Sequence, residues 1–187
     1  VLTASASTPV LATTATANRR VTDDVAHQMG SATVVLRGSL ARSSLRLSVV
    51  PGLGPLERYA WLDEALELLP GSGIVYVPTV ADTERLANFL TSRGHVVVAY
   101  SGKVEPADRE RIEDDLRANR LQAVVATSAL GMGYDKPDLG FCVHVGSPDS
   151  PVAYYQQVGR AGRAIDRAEA VLLPAETDER LWEYFAT

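Results

Sequence analysis

Apolar positions in the second half of the chain alternate between two periods. Ile74-Val-Tyr-Val77 is a short continuous apolar run behind Gly71-Ser-Gly73, and it reads as a buried strand. From Val80 to Arg93 the spacing changes. Val80, Thr83, Ala87 and Leu90 fall on one face of a helix, and Gly94 is its stop signal. His95 to Tyr100 returns to strand and closes at Ser101-Gly102. Pro106 then stands in the first turn of a charged helix whose Ile112 and Leu116 face inward at i, i+4 spacing. Gln122 to Ala126 predicts a third strand, Gly140 to Val145 a fourth, Val152 to Val158 a short helix and Ala168 to Leu173 a last strand. Strands alternating with helices build parallel βαβ units, so the expected fold is α/β, a parallel sheet with helices on both faces. Ligands in such sheets gather at the carboxyl ends of strands. Thr79, Ser101, Thr127 and Ser128 occupy those positions.

The opening of the chain has a different texture. Val1 to Pro9 is small and polar and predicts a frayed start, and Val10 to Ala17 is rich in hydroxyls without helical periodicity. Asn18 is placed to cap a helix with Val21, Val25 and Met29 on one face and Gly30 at its end. Thr33 to Leu36 reads as a brief strand. No internal repeat is visible, and low complexity is confined to the Ala/Ser/Thr-rich start.

Bulk properties narrow the classes. A chain of 187 residues holds one well-packed domain with some excess. No apolar run approaches the roughly 20 residues of a membrane span, and the first residues lack the layout of a signal peptide, so the expectation is a cytoplasmic, intracellular protein with no membrane partner. A net charge of −5 argues against indiscriminate coating of nucleic acid. His27, His95 and His144 are scattered without ligand spacing, which predicts no metal site. Cys142, within Phe141-Cys-Val-His-Val145, reads as a buried inert thiol.

The chemistry concentrates in two glycine-punctuated segments, Ala126-Thr-Ser-Ala-Leu-Gly-Met-Gly-Tyr-Asp-Lys-Pro137 and Gln156-Gln-Val-Gly-Arg-Ala-Gly-Arg163. Two arginines three apart among glycines suit a phosphate, because guanidinium stays charged and bonds oxyanions bidentately while glycine lets backbone approach closely. Val124 to Asp138, followed by Val143-His-Val, Pro148 and Tyr154-Tyr-Gln-Gln-Val-Gly-Arg-Ala-Gly-Arg163, resembles motifs V and VI of superfamily 2 helicases, and most of all the RecQ group.

The resemblance implies a RecA-like, P-loop NTPase-type fold without its Walker motifs. No Gly-x-x-x-x-Gly-Lys-Ser/Thr loop or Mg²⁺-binding carboxylate pair is present in the sequence. ATP and Mg²⁺ are therefore expected to be held mainly by a first RecA-like domain of the same polypeptide, and this chain alone is expected to be inactive. Thr13-Thr-Ala-Thr-Ala17 resembles motif III, so residues 1–39 are expected to be the tail of that first domain and 40–187 the second RecA-like domain, with Arg42 to Leu45 crossing between them.

Carried over residue by residue, the resemblance makes Arg163 an arginine finger for the γ-phosphoryl group, with Arg160 supporting the phosphates or the loop. Gln156 would relay the phosphate's presence, Gly159 and Gly162 would permit close approach, and Asp135 and Gly133 would complete the nucleotide side. Asp135 is placed to bond the ribose or the arginines. Thr79, Ser101, Gly102, Thr127 and Ser128 are the expected contacts to phosphates of single-stranded or duplex DNA, since hydroxyls and amides grip without reading sequence. Thr79 has an equal claim as a helix cap, and Lys103 and Arg109 are further cations nearby.

Several positions depart from the group's pattern. Gln157-Val158 stands where Glu-Thr is usual, Ala164-Ile165 follows Arg163 in place of Asp-Gly, and Tyr100-Ser-Gly102 replaces His-Ala-Gly. The expected function is ATP-driven 3′ to 5′ DNA unwinding. An RNA helicase of the same superfamily and a noncatalytic nucleotide-sensing module remain alternatives.

Overall fold

A computed structural model of the chain describes residues 9–14, 17–38, 41–130, 134–175 and 178. Gly133, Ala15 and Thr16 of the motif III stretch, and residues 1–8 of the frayed start expected at Val1 to Pro9 lie outside the described residues. Contacts divide the chain into two compact units, residues 1–42 and residues 43–187.

In the first unit, helix α1 (Arg19–Met29) is started by Asn18, whose side chain accepts from the Val21 amide at 2.9 Å. Gly30 ends it at φ +104°, a conformation that favours glycine. The brief strand expected at Thr33–Leu36 does not form. Val34, Val35 and Leu36 are exposed and the segment is unpaired in any sheet. A strand is stabilised by a neighbour's hydrogen bonds, and apolar, β-branched composition does not supply one.

The second unit is a six-stranded, wholly parallel sheet. Its strands are β1 (Leu45–Val49), β2 (Gly73–Tyr76), β3 (Val97–Tyr100), β4 (Ala123–Ala126), β5 (Phe141–Val145) and β6 (Ala168–Leu173), ordered β1-β6-β5-β2-β4-β3. Four helices connect them: α2 (Pro55–Ala65), α3 (Val80–Ser92), α4 (Pro106–Arg117) and α5 (Pro151–Val158). Strand alternation sorts the core into two layers. Ile74, Val124 and Cys142 face one way and pack with Ile112 and Leu116 of α4 and Val158 of α5. Val75, Val125 and Val143 face the other way against Leu62 of α2 and Leu86 and Leu90 of α3. Helices cover both faces, as the alternating pattern predicts.

Local signals set most boundaries. Thr79 and Ser150 cap α3 and α5, accepting from Asp82 and Ala153 amides at 3.1 Å each. Pro106 and Pro151 open α4 and α5. β3 starts two residues later than its pattern suggests. Gly94 turns at φ +99°, and the His95 ring is drawn to Asp63 of α2 at 2.8 Å, so His95 and Val96 belong to the turn. Leu45, expected to end a crossover, opens β1 instead. This strand pairs with β6 alone, and its Leu47 and Val49 remain 60% exposed, so its pattern lacks the buried face that marks a strand in sequence. α2 begins at Pro55, with the Glu57 carboxylate accepting from the Gly54 amide at 2.7 Å.

Candidate functional site

The parallel register aligns the carboxyl ends of β2, β4 and β3, which are neighbours in the sheet. Tyr76, Ala126 and Tyr100 stand level there. The chain leaves these three strands through Thr79, Thr127-Ser128 and Ser101-Gly102, so the expected phosphate contacts form one row along about 10 Å of sheet edge. Their hydroxyls are not equally available. Thr79 donates to the Asp82 carboxylate at 2.6 Å while accepting its amide, and so caps α3. Ser101 is buried, its hydroxyl accepting from the Lys103 amide at 3.3 Å. Thr127 Oγ1 accepts from the Ala129 amide at 3.3 Å, and Ser128 is exposed. Arg109 donates to the carbonyls of Gly102 and Val104, which makes it the brace of this loop.

The arginine segment lies elsewhere. α5 starts beyond the carboxyl end of β5 and runs back about 12 Å, eight residues at 1.5 Å each, delivering Gly159 to Arg163 to the amino ends of the strands. The Gly162 amide donates to the Leu139 carbonyl just before β5 at 2.8 Å. Ser44, just before β1, donates to the Gly162 carbonyl at 2.7 Å. The carboxyl-end rule therefore places the hydroxyl row but not the arginines.

The two arginines have different fates. Arg163 is half exposed; its Nη1 donates to Asp135 at 2.8 Å and its Nε to the Gly159 carbonyl at 3.2 Å. Arg160 points inward. Its Nη1 donates to the Tyr134 carbonyl at 2.9 Å, and its buried Nε has no partner among the described residues. The structure thus brings Asp135 to Arg163 and makes Arg160 an internal brace of the loop. Gly162 sits at φ +68°, and a Cβ there would stand 2.8 Å from that of Ala168 and 3.3 Å from Ser44 Oγ, so its close approach is to the protein's own sheet. At Gly159, the C-cap of α5, a Cβ would meet the Tyr155 carbonyl at 2.9 Å. Gln156 is exposed on α5, and its neighbour Gln157 turns inward.

Gln157 reaches a residue that spacing alone left unassigned. Its Oε1 lies 2.8 Å from His144 Nε2, a distance at which a ring protonated on Nε2 donates to it. His144 stacks on Tyr76 at 5.0 Å between ring centroids and tilts against Tyr154, and its buried Nδ1 has no partner among the described residues. Burial holds its pKa down to about 4, opposed in part by the Gln157 bond. Ser128, His144 and Gln157 line a cleft of about 80 Å³ that also touches Gly146 and Pro148 at the carboxyl edge. Cys142, beneath it, donates to the Gln157 carbonyl at 3.3 Å, and burial pushes its thiol up to about 12.

Between pH 6.5 and 4 the unfolded chain takes up a proton at His144 that the folded chain refuses. Stability from this group is therefore complete above about 6.5 and falls as acid approaches 4, at roughly 1 kcal/mol per pH unit. His144→Phe is expected to flatten that slope. Urea midpoints at pH 7 and pH 5 check it; equal acid losses in both proteins would remove His144 from the account.

Among the described residues, no group of three or more His, Cys, Asp or Glu side chains comes together, and no helix is long and apolar enough to cross a membrane.

Comparison with known proteins identifies the family. Residues 57–165, more than half of the chain, match the helicase conserved C-terminal domain family. The chain is 34% identical over 171 residues to the ATP-dependent DNA helicase RecQ of Pasteurella multocida, covering 91% of this chain and 27% of that protein. It is also 34% identical over 177 residues to the probable ATP-dependent DNA helicase RecS of Bacillus subtilis, covering 94% and 36%. The chain thus spans roughly a quarter to a third of these relatives' lengths. Among solved structures, the Mycobacterium smegmatis helicase Lhr bound to ssDNA and AMP-PNP superimposes with a TM-score of 0.64 at 30% identity, covering 73% of this chain and 20% of that one. Saccharomyces cerevisiae Dbp5 bound to RNA and ADP BeF3 gives a TM-score of 0.75 at 21% identity over 91% of this chain and 46% of that one, a likeness of fold. The chain therefore belongs to the helicase conserved C-terminal domain family, in the RecQ-like group of superfamily 2 helicases, and has a RecA-like fold.

Proposed function

We propose that this domain is the second wall of a nucleotide cleft in an ATP-driven DNA helicase moving 3′ to 5′ on single strands, inside the cell where the chromosome lies. The observation that carries this reading is Arg163. Two protein acceptors hold its Nε and Nη1, its Nη2 has no protein partner among the described residues, and the side chain is 45% exposed. A braced guanidinium with a free edge suits a γ-phosphoryl group presented by another domain. Arg160 supports the loop from inside, and the Asp135 carboxylate holds Arg163 until the phosphate competes for it. The relatives are named ATP-dependent helicases and this sequence carries no Gly-x-x-x-x-Gly-Lys-Ser/Thr loop, so we assign ATP, Mg²⁺ and the Walker loop mainly to a first RecA-like domain of the same polypeptide.

The carboxyl-edge row supplies the DNA track, with Ser128, Thr79 and Gly102 as its exposed members, Thr127 half-buried beside them and the buried Ser101 shaping its loop. DNA is favoured over RNA because the relatives at 34% identity are named DNA helicases. The complete polypeptide is expected to hydrolyse ATP at least tenfold faster with single-stranded DNA than without, and to respond less to RNA of the same sequence. Greater stimulation by RNA would transfer the track to the RNA-helicase alternative. Turnover indifferent to both strands would favour the noncatalytic one.

A further inference from the structure

The largest fully buried side chain among the described residues is a lysine. Lys136 is 0% exposed along its side chain, and its Nζ donates to Asp138 Oδ1 at 2.7 Å across Pro137. The second Asp138 oxygen accepts from Asn119 Nδ2 at 3.1 Å, and Asn119 Oδ1 accepts from Ser72 Oγ at 2.8 Å. A polar chain thus runs from the segment after β4, across Asn119 two residues past α4, to the residue before β2.

Asn119 has a conformation that argues for its side chain. It sits at φ +58° where α4 ends, with its amide donating to Leu116 and the next amide to Asp115. Glycine is the favoured residue at such a helix stop. An asparagine there gains its particular use from the two bonds its amide group makes.

The anchored segment is also the template of the arginine loop. Tyr134 gives its carbonyl to Arg160, Asp135 its carboxylate to Arg163, Pro137 its carbonyl to the Ala164 amide at 2.8 Å and Leu139 its carbonyl to the Gly162 amide at 2.8 Å. Arg163 is bracketed on both sides by bonds to one short stretch, and the Lys136–Asp138 pair sits within that stretch. Lys136 is buried while the Asp138 side chain is 48% exposed, and an apolar residue would fill the same space without desolvating a charge, so stability alone does not call for a lysine here.

We infer that Lys136, Asp138 and Asn119 are positioning residues that set Arg163 for catalysis through this polar chain. The inference rests on the reading of Arg163 as the residue that meets the γ-phosphoryl group. The three act on Arg163 through the 134–139 segment, without meeting the nucleotide themselves.

The test measures ATP turnover by the complete polypeptide at saturating single-stranded DNA, for Asn119→Gly and Lys136→Met, alone and with Arg163→Ala. Asn119→Gly keeps the backbone conformation and removes only the bridge, so its unfolding midpoint is expected to match or exceed that of the parent protein, and it keeps the test decisive if Lys136→Met fails to fold. Both variants are expected to lower kcat about 10- to 100-fold with KM for ATP and DNA affinity within twofold of the parent. In the Arg163→Ala background, Asn119→Gly is expected to cause no further loss, since its effect passes through the missing side chain. Unchanged kcat in Asn119→Gly would overturn the inference, and so would an equal loss in both backgrounds. Full turnover in Arg163→Ala alone would instead remove the underlying reading of Arg163.

Discussion

Arg163→Ala in the complete polypeptide is expected to lower DNA-stimulated ATP turnover by about 10³- to 10⁵-fold while leaving ATP affinity within a few-fold. The asymmetry follows from what the guanidinium does. Negative charge on the transferring phosphoryl group peaks in the transition state, so a cation aimed there contributes little to ground-state binding and much to the rate. Arg163 Nε and Nη1 are already engaged by Gly159 and Asp135, which sets the plane of the group before any nucleotide arrives. Arg163→Lys is therefore expected to recover little activity, because an ammonium cannot satisfy the Asp135 carboxylate and a phosphate oxygen with one rigid fork. Single-turnover hydrolysis alongside an ATP-binding titration separates the two effects. Loss of binding with an unchanged chemical step would make Arg163 a ground-state contact, and undiminished turnover would remove it from the mechanism.

The second large effect concerns folding. Gly140→Ala is expected to destabilise the domain by about 3 kcal/mol or more, with failure to fold as the extreme outcome. A Cβ at Gly140 would lie 1.7 Å from the Pro70 carbonyl oxygen and 2.7 Å from its carbon, and both are backbone atoms that cannot rotate away. Nor can Gly140 retreat. Its amide donates to Ser72 at 2.8 Å and its carbonyl accepts from Glu169 at 2.9 Å, so it is tied to both sides where β5 enters the sheet. Gly102→Ala is the control. Nothing lies within 4 Å of its Cβ direction and its φ is not in the left-handed range, so a change within about 0.5 kcal/mol is expected. Urea unfolding of the two variants decides the matter. Similar midpoints would mean that the Pro70 to Ser72 turn yields more readily than its bonds suggest.

How much of this was legible in the chain depends on the range of the interaction concerned. Ile74, Val75 and Val143 sit in apolar runs, and Ile112 and Leu116 repeat at helical spacing. Gly94, Pro106 and Asn18 punctuate. Each of these acts through the residue's own backbone or its neighbours within a turn, so β2 to β6 and α3 to α5 could be read directly, within a residue or two. The glycine-arginine segment was legible for the same reason: residue type and spacing alone point to an oxyanion.

The sequence by itself therefore determined the alternation of strand and helix from Gly73 to Leu173, the two faces of the sheet and the residue types available for phosphate chemistry. Tertiary structure alone decided the rest. β1 exists because β6, more than a hundred residues later, pairs with it, while Thr33–Leu36 has no such partner and stays irregular. Arg160 and Arg163 are chemically identical and three residues apart, yet one turns in to the Tyr134 carbonyl and the other out past Asp135. Lys136 resembles any surface lysine until the fold buries it against Asp138. The physical reason is common to all three. Periodicity and capping are properties of neighbours along the chain, whereas a strand's hydrogen-bond partner and a charge's desolvation depend on residues that only the folded sheet brings within reach.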